Sequence, residues 1–276
     1  MAQTVSSFDR HYVLGGKVVL HQQTGGAHKA GLDAVMLAAS VQGSRNSHNG
    51  NSHNDNSPKR IVDLGAGVGT AGLCAINRLS NATAILVEND PITLELTKAT
   101  LADPDNQWLK DRASVLNADV TLRGDERLAA GLNLNMADHV IMNPPYYDAN
   151  NVRISDNASR QAAHVLDERG LEPWFRTASA ILVSGGMLSV IFPTAGLSNL
   201  LTLMEGRFGG ISVFPLYKGE GEEANRVILC GQKGSRAPMR LLSGLVLHQA
   251  QKDGISRREW TDEANAVLNG ETGLVI

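Results

Sequence analysis

Asn143, Pro144, Pro145 and Tyr146 follow directly on the strand-like run DHVIM at 138–142. Consecutive prolines remove two backbone donors and stiffen the chain at the carboxyl end of a strand, where α/β proteins place their ligands. Such a turn offers two acceptors, the side-chain carbonyl of Asn143 and the main-chain carbonyl of Pro144. Together they suit an amino group on a heteroaromatic ring. That nitrogen is a poor nucleophile, because its lone pair is delocalised into the ring. Accepting one hydrogen at each carbonyl would localise the pair and aim it at an electrophile held in line. Tyr146 would stack on the base once it has left its helix or loop. This chemistry needs neither a metal nor a strong general base. Taken alone, the tetrapeptide is explained as well by a rigid strand-ending turn.

A second segment shifts that balance. Val62–Thr70 reads VDLGAGVGT, in which Gly65, Ala66, Gly67 and Gly69 link a strand to a helix. There the backbone must turn sharply and a ligand must approach it closely. Glu88, 23 residues after Gly65, closes the next strand with Asn89 behind it. An acid at that place accepts hydrogen bonds from both hydroxyls of a ribose. The spacing is G-x-G-x-G, and Thr70 stands where the NAD fingerprint needs its last glycine. Asp63 beside the loop would repel a pyrophosphate and suits a cationic methionine ammonium. The cofactor expected is therefore S-adenosylmethionine rather than NAD. Asp119, at the end of LNAD, would accept a hydrogen bond from the cofactor's adenine amine. Both Asp63 and Asp119 also have a plain reading as turn or cap carboxylates.

The elements that must position these residues are legible as an alternation. RIVDLG reads as a strand and Thr70 to about Leu79 as a helix. Strand AILVEN, helix ITLELTKATLA behind Pro91, strand ASVLNAD and strand HVIMNPP come next. A helix around LEPWFRTASAIL precedes strand MLSVIF, and ISVFPLY with RVILCGQK closes the sheet as an antiparallel-looking pair. Buried strands alternating with helices imply a mainly parallel sheet covered on both faces, and an antiparallel closing strand is a known variation. Upstream, Asp33 is placed to cap the apolar helix AVMLAASV.

Composition bounds the rest. The chain has 276 residues, 42% of them hydrophobic and 19% charged, as in ordinary globular proteins. A net charge of -3 gives no global basic field that would advertise a polyanionic partner. Between Asn225 and Arg258, however, seven bases (Arg226, Lys233, Arg236, Arg240, Lys252, Arg257, Arg258) face Asp253 alone. That run offers either a phosphate-binding face or a solvated surface. Cys74 and Cys230 sit far apart in apolar stretches and read as buried thiols in a reducing compartment. Residues 46–57, NSHNGNSHNDNS, read as a flexible surface loop. His48 and His53 there lack the Cys or carboxylate company of a metal site, so no metal is expected. Met1–Arg10 is polar, and no apolar run approaches the ~20 residues of a membrane span. A cytoplasmic protein is expected.

DLGAGVG with NPPY resembles the amino-group methyltransferases that act on adenine, cytosine or glutamine. More narrowly, the chain is similar to the bacterial tRNA(Val) adenine-N6 methyltransferase family across nearly its whole length. Gln22, Gly26 and the run Lys29-x-Gly31-x-Asp33 match that family's N-terminal segment, which lies over the cofactor and substrate pocket. The resemblance thus implies pocket roles for Lys29 and Asp33. It also implies a seven-stranded, Rossmann-like methyltransferase sheet in one domain over residues 1–276, with residues 1–45 as a short N-terminal cap and 58–276 as the catalytic core. The partner it implies is nucleic acid, tRNA in particular. RLLSGLVLH and TDEANAVL resemble one branch of these proteins. Two other readings stay open, methylation of a protein glutamine and a non-catalytic cofactor-binding module.

Overall fold

The computed structural model describes residues 8–24, 31–42, 60–109, 111–145, 170–250 and 259–276. Gly26, Lys29, the 46–57 segment with His48 and His53, Tyr146, Lys252, Asp253, Arg257 and Arg258 lie outside the described residues.

Strand β3 (Arg60–Leu64) leads through the glycine loop into α2 (Thr70–Arg78), and β4 (Thr83–Glu88) leads into α3 (Pro91–Ala102). Asp90 caps α3 by accepting from the Thr93 amide, with Pro91 at the first helical position, where its missing N–H leaves no bond unmade. Strand β5 (Ala113–Asn117), helix α4 (Gly124–Ala129) and strand β6 (Ala137–Met142) follow. Beyond them come α5 (Glu172–Ile181), β7 (Leu182–Pro193), α6 (Leu197–Met204), β8 (Phe208–Tyr217) and β9 (Ala224–Lys233). Ahead of this core stand hairpin β1 (Phe8–Val13) and β2 (Val18–Gln23) and helix α1 (Leu32–Ser40). After it come β10 (Arg240–Leu241), β11 (Leu245–Val246) and α7 (Asp262–Leu268).

The large sheet runs β10-β8-β9-β7-β6-β3-β4-β5, with β11 also against β8. Strands β5, β4, β3, β6 and β7 are mutually parallel, and β9 is antiparallel to both β7 and β8. The expected seven strands with one antiparallel member are β3–β9. Two short strands extend that sheet to nine, beyond what the sequence pattern implies. Residues 240–246 run along the β8 edge, pairing at Ser212 and Val213 and again at Leu216 and Tyr217. The break falls at Pro215, which has no N–H for the ladder. Gly244 passes so close there that a Cβ would stand 2.2 Å from the Pro215 carbonyl oxygen.

Alternation along the strands divides the core between two faces. Ile61, Ile141, Ile191 and Ile228 pack with α1, α2 and β2, whereas Val62, Val140, Val190 and Val227 pack with α5 and α6. The β1–β2 hairpin docks on α3 and the turn that follows it through buried polar bonds. Val19 and His21 amides donate to Asn106 Oδ1 (3.1 Å) and Thr100 Oγ1 (2.8 Å). Arg10 grips Asp103 with two hydrogen bonds, and His21 Nε2 lies 2.7 Å from the same carboxylate. Helix α1 differs from expectation at its start. Its N-cap is Gly31 without a side-chain bond, and Asp33 instead ion-pairs with Arg226 of β9 at 2.8 Å. Two residues into the helix, the Asp33 carboxylate lies past the cap position and is drawn to the cation. Among the described residues, no helix is long and apolar enough to cross a membrane.

Candidate active site

Three parallel strands end side by side. Leu64, the last residue of β3, pairs with Val87 of β4 and with Met142 of β6. One residue further stand Glu88, Gly65 and Asn143 in a row. With ~4.8 Å between strands, Glu88 and Asn143 flank Gly65 at about 10 Å from each other along the backbone. Asp119 extends the row, two residues past Asn117, which pairs with Glu88. The carboxyl edge of the sheet thus gathers residues scattered over 81 positions of sequence, from Asp63 to Asn143.

Gly65, Gly67 and Gly69 have φ of +68°, +57° and +89°, the left-handed region that side chains penalise. Packing adds to this at two of them. A Cβ on Gly65 would stand 2.4 Å from the Trp174 ring, and one on Gly69 would stand 2.7 Å from Leu86. At Gly67 a Cβ would meet nothing within 4 Å, so the middle of the loop faces open space where a ligand can approach. The loop is pinned by the Ala66 amide on the Val87 carbonyl (2.8 Å). Thr97 Oγ1 adds a bond to the Gly67 carbonyl (2.9 Å), shared with that of Thr93 (2.8 Å).

The acids differ in surroundings. Glu88 is half-buried; its Oε2 accepts from the Gly67 amide at 2.9 Å, and its Oε1 from the Asn89 and Asp90 amides at 2.8 and 2.9 Å. Oε1 has both lone pairs engaged and Oε2 keeps one, so the side chain is held in place with one acceptor position left for a ribose diol. Asn89 itself is exposed. Asp119 Oδ1 accepts from the Thr121 amide at 2.7 Å. Asp63 is only 2% exposed, and its Oδ2 accepts from the Gly72 amide in the first turn of α2 at 2.8 Å. Burial pushes the Asp63 carboxyl up to about 7, against the lowering effect of that amide and with a smaller push from the Glu88 charge. A carboxyl so poised would ionise fully beside a cation.

At Asn143 the side-chain Oδ1 is buried and has no hydrogen-bond partner among the described residues. Pro144 is buried and Pro145 exposed. An unpaired buried carbonyl carries a desolvation penalty of about 1–3 kcal/mol, and such atoms in native proteins call for an explanation such as an incoming donor. The residues therefore fit a nucleoside cofactor and an amino-bearing acceptor. Loop room lies at Gly67, a diol acceptor at Glu88, a buried acid at Asp63 and a waiting carbonyl at Asn143.

Other sequence candidates fall differently. Asp33 lies at the start of α1, held by Arg226, which pairs with Pro193 at the carboxyl end of β7. Among the described residues, the first bases after Asn225 are spread along the sheet, because β9 runs its full height. Arg226 and Lys233 stand at its opposite ends, ~23 Å apart for seven extended residues, and Lys233 bonds the Leu182 carbonyl at 2.6 Å. Arg240 reaches Ser212 Oγ at 2.6 Å. Sequence reasoning missed Trp174, Thr97 and Gly72. A Cβ on Gly72 would meet Leu86 at 2.5 Å and Asp63 at 3.2 Å. Only tertiary contact reveals these three; a glycine three residues inside a helix-opening motif was the one available signal.

A mainly parallel sheet with one antiparallel strand next to its edge, and a left-handed glycine loop answered by an acid on the next strand, defines the class. It is that of Rossmann-like S-adenosylmethionine-dependent methyltransferases. Within it, the chain belongs to the methyltransferase small domain family, whose model matches residues 51–214. A solved structure described as a predicted O-methyltransferase from Agrobacterium tumefaciens is 34% identical, with a TM-score of 0.70 over 88% of this chain and 98% of that one. A T. thermophilus 16S rRNA N2 methyltransferase shares the fold at 20% identity, with a TM-score of 0.52 over 82% of this chain and 50% of that one. Among curated proteins, the tRNA1(Val) (adenine(37)-N6)-methyltransferase of Shewanella loihica is 30% identical over 146 residues, 53% of this chain and 57% of that protein. The enzyme of the same name from Shewanella sp. (strain W3-18-1) is 27% identical over 171 residues, 62% of this chain and 68% of that protein. The chain thus spans little more than half the length of the first of these relatives.

Proposed function

We propose that this protein transfers a methyl group from S-adenosylmethionine to the exocyclic N6 of an adenine in tRNA, acting as one methyltransferase unit with the hairpin and α1 as its cap. The unpartnered Asn143 carbonyl carries the reading. It stands one residue past β6, beside the glycine loop, ahead of two prolines that hold its backbone. When bound, the cofactor supplies an electrophilic sulfonium methyl. Glu88 would hold the ribose hydroxyls, Asp119 the adenine amine, and Asp63 with Gly65, Ala66 and Gly67 the methionine end. Asn143 would accept one hydrogen of the target amine and the Pro144 carbonyl the other, with Tyr146 stacked on the extruded base. With both hydrogens accepted, the amine lone pair would be free to attack the methyl. The N–C bond would form as the S–C bond breaks, leaving S-adenosylhomocysteine, and the surplus proton would go to solvent.

An oxygen acceptor fits less well. A hydroxyl has one hydrogen for two waiting carbonyls and needs a base to remove it, which a carboxamide is not. The names of the curated relatives support adenine and tRNA as acceptor and partner. The test offers bulk tRNA, a short DNA duplex and a protein lysate in parallel, each with labelled cofactor. N6-methyladenosine in the tRNA digest is expected. Label confined to protein would replace the reading with amide methylation, and label confined to DNA would overturn the RNA partner.

A further inference from the structure

Two buried side-chain oxygens lack a hydrogen-bond partner among the described residues, and both belong to carboxamides: Asn143 Oδ1 and Gln22 Oε1. A carboxamide carbonyl only accepts, so each waits for a donor. Gln22 is 4% exposed and stands next to the end of β2, opposite Asp9.

The course of β2 shows where that oxygen lies. Val19 bonds Asn106, in the turn that follows α3, and His21 bonds Thr100 within the helix, so β2 runs from the end of α3 back toward its N-terminus. One turn further in that direction is Thr97, whose hydroxyl holds the Gly67 carbonyl. Gln22 points away from His21 and shares its face with Val18 and Leu20, since side chains alternate along a strand. That face packs in the same cluster as Ala71 and Leu73 of α2, the helix that begins immediately after Gly69. Gln22 is thus the next residue on the α2-facing side of β2, toward the glycine loop.

Resting on the cofactor reading above, we infer that the Gln22 carbonyl accepts a hydrogen bond from the α-ammonium of the bound methionine nucleoside. That cofactor carries three kinds of donor. The ribose hydroxyls fall to Glu88 and the adenine amine to Asp119, on strands further along the edge. The ammonium remains, and the acceptors left for it are Asp63, bonded to α2, and Gln22, on the α2-facing side of β2. Asp63 supplies negative charge there, but its Oδ2 already accepts from the Gly72 amide. A neutral carbonyl alongside completes the shell without burying a second carboxylate. The same logic applies at both orphan oxygens: one accepts from the cofactor's amine and the other from the substrate's.

The test separates a ligand contact from a structural role. Calorimetry compares S-adenosylhomocysteine with 5′-methylthioadenosine, which keeps the nucleoside and lacks the amino-acid end. Gln22→Met, close in size, is expected to weaken S-adenosylhomocysteine about tenfold or more, as for a lost charged hydrogen bond. Methylthioadenosine should bind the variant and the wild type alike. Equal losses for both ligands, or none for either, would overturn the inference. Should the Met variant not fold, Gln22→Glu retains the acceptor and the shape. It should keep or raise the preference for S-adenosylhomocysteine, and a lost preference would be equally fatal. Wild-type protein that binds neither nucleoside would instead overturn the cofactor reading itself.

Discussion

Replacing Asp63 by Asn should stabilise the cofactor-free protein, and by an amount that grows with pH. The carboxyl is pushed from 3.8 to about 7 in the fold, mainly by burial. A difference of roughly three units corresponds to about 4 kcal/mol against the ionised form once both states are fully charged. For a carboxyl raised in the fold, stability is greatest below the unfolded value near 3.8 and is lost as pH climbs to 7. The substituted carboxamide would still accept from the Gly72 amide, giving up about 1 kcal/mol of charge assistance. The net gain at pH 8 is therefore about 3 kcal/mol, and at pH 5, where the folded carboxyl is largely protonated, about 2–3 kcal/mol smaller than that. Urea unfolding of both proteins at pH 5, 6, 7 and 8 without cofactor measures the difference directly. A variant less stable at every pH, or a gain that does not change with pH, would show that burial does not penalise the Asp63 charge. An ionisable group kept at such a cost to stability is what a site for a cation would retain, so the same variant should bind S-adenosylhomocysteine more weakly.

Asn143→Ala should leave S-adenosylhomocysteine affinity near the wild-type value while turnover falls on the order of 10²-fold or more; equal losses in calorimetry and in turnover would mark the residue as structural. Gly65→Ala and Gly67→Ala should differ sharply in denaturant unfolding. Both incur about 1–2 kcal/mol of left-handed strain, but only the methyl added at position 65 meets the Trp174 ring, at 2.4 Å, so matching losses would contradict the packing argument. His139 is held at about 3 by burial, with the Arg78 charge adding to the shift, and its ring lies 2.9 Å from Ser189 Oγ. A base lowered in the fold contributes stability above the unfolded value near 6.5 that is lost as pH falls toward 3. Over 6.5 to 4 this opposes the Asp63 trend, so the wild-type unfolding midpoint should stay nearly level there. His139→Gln should make it rise as pH falls, and a variant profile parallel to the wild type would exclude the assignment.

Local sequence determined a good deal of this protein. The strand-helix alternation from Arg60 to Lys233 is written in short apolar runs, because a strand buried on both faces has to be apolar throughout. The glycine loop and the NPP turn were legible for a related reason: left-handed φ and a missing N–H are properties of single residue types, visible without any neighbour. The antiparallel pair at the end was visible as two adjacent strands with only a short connection. What the tertiary structure decided concerns partners distant in sequence. Asp33 looked like a cap, and became half of an ion pair with Arg226, 193 positions away, because α1 lies across the end of β9. The basic run after Asn225 is contiguous in sequence, but an extended strand carries consecutive residues ~3.3 Å further each step, so Arg226 and Lys233 end at opposite edges of the sheet. Trp174 against Gly65, and Thr97 on the Gly67 carbonyl, follow from packing alone. The orphan carbonyls of Gln22 and Asn143 became informative only when folding buried them, since a carboxamide in water always has a partner and one in a protein core must be given one.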